Sequence, residues 1–223
     1  MSNETIDNRN IPSRNEIFER LKPTTKITEK LVITPLINPE KQIEEGSIDL
    51  RLGTEFILVK RAKFDSLDPL NPAHKIKKKI LEYQEKMYVG IGEKIILHPQ
   101  QFVLGSTFEY VKLPVDLTGY VIGRSSWGRL GLIIATATLV HPGYAGIITL
   151  ELTNLGDAPI QLYPGVRIAQ LVLHNVTMTP KEKEVAQKNL SKQKTKYQAS
   201  VSPSFSKIHE DSEWSMIKKL KKQ

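Results

Sequence analysis

Ile147-Ile-Thr-Leu-Glu-Leu152 is the stretch on which the fold class turns. Read at period two, it puts Ile147, Thr149 and Glu151 on one side and Ile148, Leu150 and Leu152 on the other. That is the alternation of a strand with one apolar face. The same texture extends outward on both sides. Ile160–Leu162 and Ile168–Val172 follow; Tyr120-Val-Ile-Gly123, Phe102-Val-Leu-Gly-Ser-Thr107, Lys94-Ile-Ile-Leu97 and Phe56-Ile-Leu-Val59 precede. Gly, Pro and Asn separate these runs at short, even spacing, and no long segment of helical period interrupts them. Several short strands of this kind predict an all-β body, a barrel or jelly roll.

Around that body the composition changes. Residues 1–28 read as a polar arm, in which Ile17, Phe18 and Leu21 could form one short helical turn. The barrel domain is expected over residues 29–178. A basic, Pro-containing excursion interrupts it at about 62–88, where Ile76, Ile80, Leu81 and Tyr83 give a weak helical face. Residues 179–223 turn polar again and read as a mobile C-terminal lid and tail. The chain has 223 residues and a formal charge of +8, with basic runs at Lys75-Ile-Lys-Lys-Lys79 and Lys218-Lys-Leu-Lys-Lys222. Such a balance suits an anionic partner: nucleic acid, a membrane surface or a polyphosphate. The plainer alternative is a solvated helix face and a frayed tail. The absence of cysteine excludes disulfides and thiolate metal sites, including the Cys-x-x-Cys half of the zinc-deaminase signature. Neither a secretory signal nor an apolar run of about 20 residues is found, so a cytoplasmic protein is expected.

Two stretches carry chemistry. Gly123-Arg-Ser-Ser-Trp-Gly-Arg-Leu-Gly131 gathers two arginines, two hydroxyls and three glycines directly after a strand. Guanidinium forks, serine hydroxyls and glycine N–H groups make an anion cradle. The alternative is a tight turn with a capping serine. It is not a P-loop, because it lacks the Gly-Lys-Ser/Thr ending. The second is His141-Pro-Gly-Tyr-Ala-Gly146 leading into the strand that holds Glu151. A carboxylate in so apolar a strand faces solvent, pairs with an arginine or sits in a tuned site. Arg129 is its natural partner if the two loops meet.

These stretches occur in order with Ser47-Ile-Asp-Leu-Arg-Leu-Gly53, Thr149-Leu-Glu-Leu-Thr-Asn154 and Tyr163-Pro-Gly-Val-Arg-Ile-Ala-Gln170. Together they resemble the dCTP deaminases of the dUTPase-like superfamily over about residues 30–210. The tail segments Lys196-Tyr-Gln198 and Pro203-Ser-Phe-Ser-Lys-Ile208 resemble that family's closing segment. The resemblance implies a distorted jelly-roll β-barrel with a few short helices, assembled as a homotrimer whose active sites form between subunits. By the same resemblance Arg124, Ser125, Ser126 and Arg129 contact the triphosphate and position the reacting groups. The strand at Thr149, Leu150 and Glu151 holds the cytosine, and Lys196, Tyr197 and Gln198 close over the nucleotide. Mg2+ comes with the triphosphate, and no metal, zinc included, acts on the base. Nucleic acid is not the expected partner; dCTP and dUTP are, and dTTP inhibition stays open.

The chemistry agrees. Turning cytosine into uracil needs water to attack C4 and a proton for the departing ammonia. Zinc deaminases activate that water on the metal, but here the five histidines (74, 98, 141, 174, 209) show no close ligand spacing. A carboxylate can take the proton instead. Glu151 is the one carboxylate that lies within a motif stretch of the core strands and also follows a Gly-rich turn; Ser125 is placed to hold the water. The chain departs from the resemblance at His141, where the family usually carries Asp, and in a stretch between Arg129 and Glu151 that is about one residue shorter. In dUTPases that Asp activates the hydrolytic water; in deaminases it is a sugar contact that a neutral imidazole can replace. The leading expectation is therefore dCTP to dUTP and ammonia. The alternatives are a bifunctional deaminase and diphosphatase giving dUMP, and a non-catalytic nucleotide-binding regulator on the same fold.

Overall fold

The computed structural model describes residues 10–60, 63–135, 139–190 and 200–220. In chain order the strands are β1 (Val32–Thr34), β2 (Ile43–Glu44), β3 (Ser47–Arg51), β4 (Glu55–Val59), β5 (Gln84–Tyr88), β6 (Ile95–Leu97) and β7 (Phe102–Lys112). There follow β8 (Leu117–Gly123), β9 (Leu132–Ile134), β10 (Leu139–Val140), β11 (Ala145–Asn154), β12 (Ile160–Leu162) and β13 (Arg167–Asn175). The helices are short: α1 (Arg14–Leu21), α2 (Pro39–Gln42), α3 (Ala73–Tyr83), α4 (Ser125–Gly128), α5 (Pro180–Leu190) and α6 (Glu213–Leu220).

One sheet runs β5-β4-β7-β11-β9, with β1 also paired to β7; a second runs β10-β8-β13-β3-β2; β12 and β6 form a ribbon. The pairings are antiparallel. Each strand sends its apolar alternates inward, so Ile48, Leu50, Leu52, Phe56, Val103, Ile148, Leu150, Leu152, Leu171 and Leu173 meet in one core between the sheets. Burying each such side chain contributes roughly 1.5–3 kcal/mol. The all-β jelly-roll expectation and the strand at residues 147–152 hold.

The surroundings are more structured than the polar texture suggests. α1 is capped by the Ser13 hydroxyl, which accepts from Glu16 N at 3.2 Å, and Ile17 is fully buried in the core cluster. The basic excursion contains α3, whose Ile76 and Ile80 are buried while Leu81 stays exposed. It ends in β5, an edge strand hidden from periodicity because four of its five residues, in Gln84-Glu-Lys-Met-Tyr88, are half-buried or exposed. After residue 179 the chain forms α5, pinned by Lys183 Nζ on Asp116 at 2.8 Å, and later α6. Among the described residues no helix is long and apolar enough to cross a membrane.

Candidate active site

The site is built on β11. Its register against β7 shifts between Ile147 and Thr149, a bulge of the kind that bends a strand and re-aims side chains. The irregularity is satisfied from β7: Ile148 N donates to the Thr107 hydroxyl at 2.9 Å. Beyond it, Glu151 lies opposite Leu104 and Thr149 opposite Ser106. Glu151 projects from the outward face and is exposed. Leu150, on the other face, is buried in the core, so only its main chain can meet a ligand. The turn before the strand is a four-residue one, with Tyr144 N donating to His141 O at 3.0 Å. Gly143 has φ +77°, the left-handed value that a type II turn demands at its third residue. His141 sits exposed at the first position of that turn.

The second half of the site is the corner between β8 and α4. Ser125, Ser126 and Arg129 are exposed there. Trp127 anchors the corner by donating its indole N–H to Arg167 O at 3.0 Å. The chain leaves α4 through Gly131, φ +94°, where an added Cβ would lie 2.5 Å from Gly156 N. That close crossing, with Leu155 N donating to Gly131 O at 2.8 Å, ties the corner to the end of β11. Arg124 is the exception to the exposed set: its guanidinium pairs with Asp49, whose side chain is wholly buried and also takes Arg167 Nη1 at 2.8 Å.

The expected Glu151–Arg129 pair is not formed within one chain. Among the described residues neither group has an ion-pair partner, and both point outward from different elements. Arg129 closes the short helix α4 after β8, while Glu151 stands within β11. Thr149 does acquire a neighbour. Residues 200–204 cross β11, with Ile147 N donating to Ser200 O at 2.9 Å and Ser204 N donating to Thr149 Oγ1 at 3.3 Å. Lys196, Tyr197 and Gln198 lie outside the described residues.

Two buried polar clusters escaped the sequence reading, although Asp49 and Arg51 belong to the Ser47–Gly53 stretch. Asp49, beneath Arg124, is one. The other is Glu109, fully buried, which accepts from Gln42 Nε2 at 3.1 Å and from Arg51 N at 2.8 Å. Burial pushes the Glu109 carboxyl up to about 7, against the smaller opposing pull of those hydrogen bonds and of the Arg51 guanidinium. A charged residue spaced among apolar alternates was the available signal, as it was for Glu151; what it pairs with was not readable. Among the described residues no group of three or more His, Cys, Asp or Glu gathers to hold a metal.

The chain is thus an all-β fold with an outward carboxylate on one strand and a hydroxyl-and-guanidinium corner between β8 and α4. The comparisons narrow it. Residues 14–176 match the model of the dCTP deaminase-like family, and the chain belongs to that family. It is 43% identical over 185 residues to a "dCTP deaminase" of Natronomonas pharaonis, covering 82% of this chain and 90% of that one. It is also 43% identical over 185 residues to a "dCTP deaminase, dUMP-forming" of Methanobrevibacter smithii, with the same coverages. The crystal structure of a 2'-deoxycytidine 5'-triphosphate deaminase from Agrobacterium tumefaciens superposes with a TM-score of 0.55 at 22% identity. It spans 82% of this chain but only 53% of that one, and supports the fold alone.

Proposed function

We propose that the chain is a dCTP deaminase: dCTP plus water gives dUTP plus ammonia, with Glu151 as general base. The observation that carries this is the pairing of family membership with an outward-facing Glu151 on the bulged strand. Water held by Ser125 attacks C4 while Glu151 takes one of its protons and delivers it to N3. The proton of the new C4 hydroxyl then passes through the same carboxylate to the amino group, which leaves as ammonia as the C4 carbonyl forms. General acid–base help of this kind contributes about 10²–10⁴-fold, and the rest falls to positioning. Arg124, Ser126 and Arg129 hold the triphosphate, Thr149 and the Leu150 main chain face the cytosine, and His141 contacts the sugar. Lys196, Tyr197 and Gln198 close over the nucleotide. Mg2+ bound with the triphosphate neutralises phosphate charge.

A homotrimer is part of the proposal. It is supported by Glu151 and the α4 corner both facing outward without each other, as expected if each completes its site against a neighbouring copy. The setting proposed is cytoplasmic, and dTTP, sharing the triphosphate and sugar, is a proposed inhibitor.

The second reading has its own support, since a dUMP-forming relative stands at the same 43% identity. Incubation with dCTP and Mg2+ followed by chromatography separates the two. The account expects dUTP and ammonia in equal amounts. Appearance of dUMP and pyrophosphate with no dUTP phase would establish the bifunctional reading, and nucleotide binding without ammonia release would establish a regulator.

A further inference from the structure

Arg167 has no role in the mechanism above, yet it is built into the phosphate corner. Its carbonyl accepts from the Trp127 indole at 3.0 Å, and the next carbonyl, Ile168 O, accepts from Arg124 N at 3.1 Å. Its Nη1 donates to Asp49 Oδ2 at 2.8 Å and to Lys41 O at 2.8 Å. Asp49 therefore serves two guanidinium groups, Arg124 and Arg167, from a side chain that is 0% exposed, while theirs are 25% and 33% exposed.

The charges do not cancel. One carboxylate against two guanidinium groups leaves one positive charge at the corner from which Ser125 and Ser126 project. Arginine cannot shed that charge by deprotonation. A purely structural brace between β3, β8 and β13 would need a single guanidinium to neutralise Asp49, and a second cation beside it adds repulsion. The arrangement is instead what anion recognition requires: two planar donors held side by side by a buried anchor, each with part of its surface open.

We infer that Arg167 is a further phosphate-binding residue of this site, and that Asp49 is the positioning residue that holds Arg124 and Arg167 together. The inference rests on the triphosphate reading above and deepens it. Calorimetric binding of inorganic tripolyphosphate, deoxycytidine and dCTP to the wild type, Arg167→Met and Arg167→Lys tests it, alongside dCTP turnover and a thermal melt for each variant. Arg167→Met should weaken tripolyphosphate binding by about tenfold or more, the scale of one lost charged hydrogen-bonding group. KM for dCTP should rise by a similar factor, with a much smaller change in kcat and no change for deoxycytidine. Arg167→Lys should recover part of the loss. Asp49→Asn should weaken tripolyphosphate binding too, and combining it with Arg167→Met should cost less than the two losses multiplied, because both act through one fork. Unchanged tripolyphosphate affinity in a folded Arg167→Met protein would overturn the inference, as would equal losses for tripolyphosphate and deoxycytidine. Arg167-dependent tripolyphosphate binding in a wild type that releases no ammonia from dCTP would sustain the subsite and sink the deaminase.

Discussion

At the scale of single residues, the decisive groups are charges placed where their surroundings give them work. Glu151 was visible in the sequence as a carboxylate out of keeping with its strand, and the fold places it outward. Arg129, its expected partner, was legible as an anion-binding type but not as a neighbour, because pairing across a chain depends on which loops the sheets bring together. Ser125→Ala should lower kcat for dCTP by tenfold or more while leaving KM within a few-fold, if the hydroxyl holds the attacking water. An equal rise in KM with kcat intact would make it a phosphate ligand only. Asp49 shows the limit of sequence reading most clearly. Ser47-Ile-Asp-Leu-Arg-Leu-Gly53 was quoted as a motif, yet nothing in its spacing says that Asp49 reaches Arg124 on β8 and Arg167 on β13.

Among the elements, β11 was the most legible because its alternation is nearly complete. Ile148, Leu150 and Leu152 are buried and Glu151 exposed, as period two requires. The bulge at residues 147–149 was not legible, since it comes from the match with β7 and the Thr107 hydroxyl. Strand β5 was missed for the opposite reason: an edge strand with little buried surface carries no period. The corner after α4 depends on a backbone that only glycine adopts easily. Gly131→Ala would force a left-handed φ of +94° on alanine and drive its Cβ toward Gly156. It should destabilise the protein by about 1–3 kcal/mol, seen as a lower Tm, and should weaken triphosphate binding by shifting Arg129. An unchanged Tm would mean the corner relaxes freely. The C-terminal segment belongs to this scale too. Deleting residues after 190 removes the strap over Ile147 and Thr149 together with Lys196, Tyr197 and Gln198. It should raise KM and slow turnover while the barrel still melts cooperatively; an unchanged rate would show that the segment takes no part in closure.

For the molecule as a whole, one buried group gives stability a pH dependence. Glu109 ionises near pH 4.5 in the unfolded chain but at about 7 when folded. The folded state therefore holds the extra proton between those values, and stability falls as pH rises from about 4.5 to 7 before levelling off. Chemical denaturation across that range should show the decline in the wild type, and Glu109→Gln should flatten it. A wild-type stability rising through the same window would contradict the assignment of Glu109 as the dominant group. The barrel class was readable because strand alternation and turn residues repeat along most of the chain. The separation of Glu151 from the α4 corner was not, since it depends on where the sheets carry each element. The central claim, that a carboxylate on β11 drives the deamination, is tested most directly by Glu151→Gln. With dCTP and Mg2+, ammonia release should fall by at least about 10²-fold, the scale of general-base catalysis, while dCTP binding by calorimetry stays within a few-fold of wild type. Near-normal ammonia release from the Gln variant would contradict it.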